Sequence, residues 1–300
     1  MILMDKEYID PGIPRKKVII ESTVSVIQDV VLPSFVEVNE SGICNRKCAF
    51  CPKSDPAYPN EKVFISSEII DKLSHELGEL SYSGIFAFSG FCEPLLDKNI
   101  YNLIALARRN LKKAKIEVIT NGDILNSERM KKLFESGLST LVISAYDNEE
   151  QVSYFQRMAA GANIPDDKLV IRPRFLTEEE DFGMVLNNRA GMMSNAEFSI
   201  PALTEPLVKR CNYPFYSFFV DYTGEVLLCP HDWGKNIIIG DITKQGFLEI
   251  WDGSNMNRIR KELYRKNRDF KPCSACDVGG TMMGGTHVKR WLSRKARQYK

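Results

Sequence analysis

The sequence predicts an α/β protein whose parallel sheet is built from βαβ units and followed by a small, cysteine-held module of hairpin and helix. Three observations predict it. Strand-like apolar runs alternate with amphipathic helical stretches from residue 35 to residue 174, the alternation ends near residue 200, and eight cysteines fall into two groups with one left over. Strands that alternate with helices at this spacing need crossover connections, and crossovers produce parallel pairing.

The first thirty residues are mixed in character and predict an arm or an edge element. Phe35-Val36-Glu37-Val38 alternates with period two and reads as a strand that ends just before the first cysteines. A polar loop with Pro52, Pro56 and Pro59 follows. Ser66 or Ser67 then caps a helix with Ile69, Ile70, Leu73, Leu77 and Leu80 on one face. Further strands are predicted at 84–88, 116–120, 140–144 and 169–174, and further helices at 99–112, 127–135 and 149–160, with Gly137 stopping the second of these. Beyond residue 200, segments 217–221 and 225–228 flank Tyr222-Thr223-Gly224 as a hairpin, and a helix spans about 247–264. From His287 onward Lys289, Arg290, Arg294, Lys295, Arg297 and Lys300 carry no acidic neighbour, which predicts a solvated helix end or a frayed tail. The organisation is therefore an N-terminal arm (1–33), a core (34–205), a cysteine module (206–285) and a basic C-terminal tail (286–300).

Composition excludes several classes. With 44% hydrophobic and 26% charged residues over 300, the chain is not disordered, collagenous or a coiled-coil rod. Forty basic against thirty-nine acidic residues give a net charge of +1, so no global field draws it to nucleic acid or an anionic membrane. Asp5, Lys6 and Glu7 interrupt the place where a secretory signal needs its apolar run, and 24–35 is broken by Gln28, Asp29 and Pro33. A cytoplasmic location is expected. In that compartment thiols stay reduced, so the cysteines point to metal or iron–sulfur ligation.

Cys44, Cys48 and Cys51 have the spacing C-x3-C-x2-C on a loop directly after a strand. Three thiolates leave a tetrahedral zinc site one ligand short, and the next histidine, His75, is far along the chain. A [4Fe–4S] cluster on three cysteines leaves one iron open for a chelating small molecule. With Phe50 just before the last cysteine, this motif resembles the radical S-adenosylmethionine (SAM) superfamily. The resemblance implies a partial (β/α)6 TIM-like barrel and a [4Fe–4S] cluster on Cys44, Cys48 and Cys51. It also implies SAM chelated to the open iron and cleaved by one electron to methionine and a 5′-deoxyadenosyl radical. The stretch Phe88-Ser89-Gly90-Phe91-Cys92-Glu93-Pro94 is similar to the superfamily's Gly-Glu-Pro segment, with Cys92 where glycine is usual. It implies that Glu93 accepts from the SAM amino group, with Phe50, Asn121 and Ser144 as further SAM-pocket positions.

Cys211, Cys229, Cys273 and Cys276 are spaced C-x17-C-x43-C-x2-C, which suits zinc or an iron–sulfur cluster equally by ligand count. With Cys229-Pro230, Gly240-Asp241-Ile242 and Ile250-Trp251, this segment resembles the SPASM and twitch auxiliary-cluster modules. Four cysteines imply the shorter twitch type, with one fully ligated [4Fe–4S] cluster suited to passing electrons. Within the superfamily the layout and the Asn121-Gly122-Asp123 turn are most similar to dehydrogenases of aminocyclitol alcohols, and Asn188-Arg189-Ala190-Gly191 to a loop that places an arginine, here Arg189, on the substrate.

The resemblance implies hydrogen abstraction from a small polar substrate, oxidation of a sugar or cyclitol alcohol, and transfer of the remaining electron to the auxiliary cluster. Arg189, Tyr146, Asp147 and His231 are the conceivable bases. An external one-electron donor such as flavodoxin or ferredoxin is implied, with no nucleic-acid or membrane partner. Three other readings stand beside it: maturation of a peptide, epimerisation with Cys92 as hydrogen donor, and a structural zinc protein without turnover. The loops 52–65 and 176–194 are expected over the mouth of the site, and neither spells out a substrate.

Overall fold

The computed structural model describes residues 10–298, with side chains as far as Arg294. Asp5, Lys6, Glu7 and Lys300, and the side chains of Lys295 and Arg297, lie outside the described residues. The chain opens with helix α1 (Gly12–Ser22) and a short hairpin of β1 (Val26–Ile27) and β2 (Val30–Val31). The alternating region follows: β3 (Phe35–Val38), α2 (Ser67–Glu79), β4 (Ile85–Phe88), α3 (Ile100–Asn110), β5 (Lys115–Thr120), α4 (Ser127–Glu135), β6 (Thr140–Ala145), α5 (Glu149–Gly161) and β7 (Leu169–Pro173). The last third holds α6 (Tyr213–Tyr216), β8 (Ser217–Val220), β9 (Glu225–Leu227), β10 (Ile238–Asp241), α7 (Phe247–Trp251), α8 (Ser254–Tyr264) and α9 (Gly285–Gln298).

Local chemistry sets these boundaries. Ser66 accepts from the Ile69 N–H at 3.4 Å, and Asn126 and Asn148 accept from Arg129 and Gln151 at 2.8 and 3.0 Å, so α2, α4 and α5 each begin on a side-chain cap. The buried stripe Ile70, Leu73 and Leu77 turns α2 onto the sheet. Together with α3, α4 and α5 it covers one face, where Val36, Phe86, Val118 and Leu141 complete the main core.

Eight strands form one open sheet in the order β10-β9-β8-β3-β4-β5-β6-β7. Strands β3 to β7 pair in parallel, as the alternation predicts. The sheet does not close on itself, which is the partial barrel. Its sixth parallel strand is β8, which joins beside β3 with Phe35 opposite Ser217, on the far side from β7. The cysteine module is thus continuous with the core, because its hairpin extends the same sheet. The sequence Ser-Phe-Phe-Val leaves no polar face to show to water, and every residue of β8 is buried.

Three expectations change. The N-terminal arm is a packed element, since Ile19 and Ile20 join Phe35, Ile85, Ala87, Tyr216 and Met283 on the other face of the sheet. Arg15 of α1 pairs there with Glu117 at 2.5 Å. The helix predicted over 247–264 is two helices, parted at Asp252 and Gly253, where Gly253 turns extended (φ −66°, ψ 164°) and a side chain would collide with the Glu249 carbonyl. The basic tail is a docked helix. His287 is fully buried with Nε2 2.9 Å from Ser34 Oγ, Val288 and Trp291 pack on Phe215, and Arg294 pairs with Asp252 at 2.5 Å. Among the described side chains, His287, Val288 and Trp291 form its buried face while Lys289 and Arg290 are exposed.

Candidate active site

A cavity of about 1390 Å³ is lined by residues at the carboxyl ends of the parallel strands and by the cysteine loops. That is the end where parallel α/β sheets place ligands. Cys44, Cys48 and Cys51 all face it, and the loop that carries them is tied down on both sides. Arg46 donates through Nε to both oxygens of Asp123, beyond β5, and through Nη1 and Nη2 to Asp147, beyond β6, at 2.9 and 3.1 Å. Lys53 donates to the carbonyls of Gly42 and Pro59 and to Asn60 Oδ1 at 3.0–3.1 Å. Asn121 reaches back to Asn45 Oδ1 at 2.8 Å and lies 4.0 Å from Cys44 Sγ.

The three thiols are free and close enough to repel one another when ionised. Burial pushes Cys44 up to about 11 and Cys48 up to about 12, and it raises Cys51 as well. The protein supplies too little positive charge to hold three thiolates, which the irons of a cluster would provide. Among the described residues no three Cys, His, Asp or Glu side chains converge as a site for a metal ion. Three soft thiol donors on one short loop suit a [4Fe–4S] cluster that keeps one iron open.

Glu93 follows β4 and is buried. Its Oε1 accepts from Leu95 N–H at 3.0 Å and Thr120 Oγ1 at 2.6 Å, and its Oε2 from Asn121 N–H at 2.7 Å. Burial lifts its pKa to about 7 against these bonds. The turn that delivers the Asn121 amide needs Gly122, at φ +75°, where a Cβ would stand 2.5 Å from the Phe155 ring. Ser144, at the end of β6, accepts from Arg172 Nη2 at 2.7 Å, and Arg172 Nε is buried without a partner. Phe50 stacks on Tyr146 and Phe182 at 6.1 and 4.9 Å, making an apolar wall. Cys92 lines the cavity, but its S–H is directed at Glu40 Oε2, 2.7 Å away.

The four cysteines of the second group are not among the lining residues, but Tyr213, Pro230, His231 and 277–283, next to them in the chain, are. Cys211 precedes α6, Cys229 follows β9, and Cys273 and Cys276 bound a short turn. All four are free, and burial raises each of their pKa values. Arg268 binds their loops together, donating to the carbonyls of Lys209, Arg210, Val278 and Gly279 at 2.7–2.9 Å. Asn188 donates to Ala275 O at 2.8 Å and accepts in turn from Gly191, which fixes the Arg189 loop on the Cys273/Cys276 turn.

Arg189, Tyr213 and His231 form the wall between the two cysteine groups. Arg189 is in electrostatic reach of Cys51 and Tyr213, and Tyr213 of Cys211 and Cys229. Both ring nitrogens of His231 are buried without a partner, and its ring meets Tyr213 edge-on at 4.7 Å. Of the four candidate bases Tyr146, Arg189 and His231 line the cavity, whereas Asp147 is half-exposed and held by Arg46.

Sequence reasoning missed Arg46, Arg172 and Arg268, because a lone arginine carries no local pattern. It also missed the loop 277–283, which lines the cavity together with 184–187, whereas only Lys53 of 52–65 does so. The glycines at 279, 280, 284 and 285 were the available signal for that loop.

Residues 38–164 match the radical SAM superfamily, and residues 211–277 match SPASM, an iron–sulfur cluster-binding domain. The S-adenosyl-L-methionine-dependent 2-deoxy-scyllo-inosamine dehydrogenase of Niallia circulans is 27% identical over 246 residues, covering 81% of this chain and 92% of that one. The crystal structure of BtrN in complex with AdoMet and 2-DOIA superimposes with a TM-score of 0.69 at 25% identity, covering 85% of this chain and 96% of that one. Native anSMEcpe with bound AdoMet shares the fold at a TM-score of 0.53 and 14% identity, covering 88% and 97%. The two cysteine groups on one open sheet are therefore those of a radical SAM enzyme: the chain belongs to the radical SAM superfamily and carries a SPASM iron–sulfur domain, so that it uses SAM and iron–sulfur clusters as its cofactors.

Proposed function

We propose that this enzyme oxidises a secondary alcohol of a small polyol, of the sugar or cyclitol type, to a ketone. The observation that carries the reading is that Cys44, Cys48 and Cys51 line one side of the cavity while Arg189, Tyr213 and His231 line it toward the second cysteine group, with Tyr213 in electrostatic reach of Cys211 and Cys229. A substrate there has a radical source on one side and an electron acceptor on the other. The 25–27% identity with a dehydrogenase over most of the chain supports it.

In this reading Cys44, Cys48 and Cys51 hold one [4Fe–4S] cluster, and Cys211, Cys229, Cys273 and Cys276 hold a second. When bound, the first cluster and SAM supply the 5′-deoxyadenosyl radical that takes the carbinol hydrogen atom, and the second cluster supplies the acceptor for the electron left behind. The chain does the rest. Glu93 receives the SAM ammonium on Oε2, which has an acceptor position left beside its single bond to Asn121. Arg172, steadied by Ser144 and with Nε free, receives the SAM carboxylate. Phe50 with Tyr146 keeps water from the reacting carbon. Arg189 orients the substrate hydroxyl, and a His231 ring nitrogen accepts its proton, since neither nitrogen is spent on the protein. A reducing compartment and a small external one-electron donor, of the flavodoxin or ferredoxin kind, complete the proposal.

The test counts iron, sulfide and zinc on anaerobically reconstituted protein, wild type beside a Cys44/Cys48/Cys51→Ala variant. About eight irons in the wild type and about four in the variant are expected for two [4Fe–4S] clusters. Deuterium should then pass from a C-deuterated substrate into 5′-deoxyadenosine. Zinc on the last four cysteines would remove the acceptor and end the dehydrogenase reading.

A further inference from the structure

Lys16 and Arg189 each lie within electrostatic reach of His231, and all three line the cavity. Among the described residues, the charged ends of Lys16 and Arg189 make no ion pair or hydrogen bond. Lys16 Nζ rests 3.4 Å above the Phe35 ring, and Arg189 faces Trp233 at 6.0 Å with its buried Nε unpartnered. The carboxylates that line the cavity are already engaged. Asp10 pairs with Arg174 at 2.5 Å, Glu37 accepts from Ser89 at 2.5 Å, Glu93 is held by Thr120 and Asn121, and Asp277 accepts from Asn188 N–H at 3.0 Å. Glu117, the other acid near Lys16, belongs to Arg15. Glu37 and Asp10 are near enough to favour the Lys16 charge but neither bonds it, so Lys16 and Arg189 line the cavity with their charged donors unspent.

We infer that the substrate carries an anionic group, a phosphate or a carboxylate on the polyol, and that Lys16 of α1 selects it together with Arg189. This rests on the reading of the cavity as the substrate site. A free ammonium would meet two cations in a partly desolvated wall, whereas an oxyanion would meet donors that have nothing else to bind. Lys16 lies outside both family-matched segments, 38–164 and 211–277. The selectivity therefore differs from that of the relative named for an inosamine, which is an amine.

Calorimetric titration of the reconstituted, SAM-bound protein tests this with myo-inositol 1-phosphate, glucuronate and 2-deoxy-scyllo-inosamine. At least one anion should bind about tenfold more tightly than the amine. Lys16→Gln should weaken that anion by about tenfold or more and Lys16→Arg should restore most of it, with iron content and melting temperature held near wild type in both. Which anion responds separates phosphate from carboxylate. Tighter binding of the amine, no binding of either anion, or anion affinity indifferent to Lys16→Gln overturns the inference. Titration reads binding without turnover, so its failure is distinct from failure of the dehydrogenase reading, which deuterium transfer reports.

Discussion

Arg46 holds Asp123 through Nε at 2.8 and 2.9 Å, and this pair fixes the cysteine loop to the end of β5. The same guanidinium reaches Asp147 beyond β6 and lies 4.9 Å over the Tyr146 ring, so one side chain sets the loop against two strands and the apolar wall. Burial disfavours its charge, but the two carboxylates outweigh that and raise its pKa. Replacing Arg46 with Gln keeps some hydrogen bonding and removes the charge. The variant should lose about 1–3 kcal/mol of stability and release iron from the Cys44/Cys48/Cys51 site several-fold faster. Chelator-driven iron release, followed by absorbance, checks this; an unchanged rate would mean that the cysteine loop holds its shape without the clamp.

Arg268 does for the second cysteine group what Arg46 does for the first, but from inside. It is 2% exposed and serves four backbone carbonyls on two loops. Lysine at this position has one nitrogen and cannot span them, so at least two buried carbonyls would lose their donor, at about 1–3 kcal/mol each. Arg268→Lys should lower the melting temperature and leave about four irons per chain, those of the first cluster. Iron per chain after anaerobic gel filtration is the readout, and about eight irons would refute the assignment.

The pair Glu40–Cys92 makes stability depend on pH. Glu40 has no exposed surface, its Oε1 is unpartnered, and burial with Glu93 and Asp97 nearby raises its pKa from 4.5 to about 8 despite the bond from Cys92. The folded state thus binds the proton more tightly than the unfolded chain. Its contribution favours folding below pH 4.5 and is lost progressively as pH rises to about 8. Glu40→Gln, which cannot ionise, should be more stable than wild type at pH 8.5 by about 2–4 kcal/mol, with the gap closing toward pH 5. Denaturant midpoints at the two pH values check the sign, and a gap that stays constant between them would show that Glu40 is ionised throughout.

What the sequence made legible was whatever has a period or a spacing. Phe35 to Val38 and the later apolar runs announced the parallel strands, Ser66 or Ser67 announced a helix start, and the two cysteine spacings announced the cofactors before any geometry was known. What it hid were partnerships between distant residues. Nothing around Ser217 to Val220 says that this strand lies beside β3, because its apolar run fits any buried edge. Nor does the basic run Arg15-Lys16-Lys17 reveal that its middle residue faces a cavity. The C-terminal basic run was misleading for the same reason: counting its charges overlooks that His287, Val288 and Trp291 share one helical face.

Gly280 and Gly279 offer a paired test of the second site with a built-in control. Gly280 has φ +74°, and a Cβ there would stand 2.6 Å from Cys211 Sγ and 3.2 Å from Arg268 Nη2. Alanine would therefore suffer twice, from a backbone conformation that L residues rarely adopt and from collision with the Cys211 sulfur, a proposed ligand of the second cluster. Gly279, its neighbour, has nothing within 4 Å of a built Cβ and no such φ. Gly280→Ala should lose most of the second cluster's iron and several degrees of melting temperature, while Gly279→Ala keeps both near wild type. Iron content and thermal unfolding of the two variants, prepared side by side, decide the matter. Equal iron in both would place the Cys211 sulfur away from Gly280 in the loaded protein, and equal loss would mean that the loop 277–283 tolerates no side chain at either position.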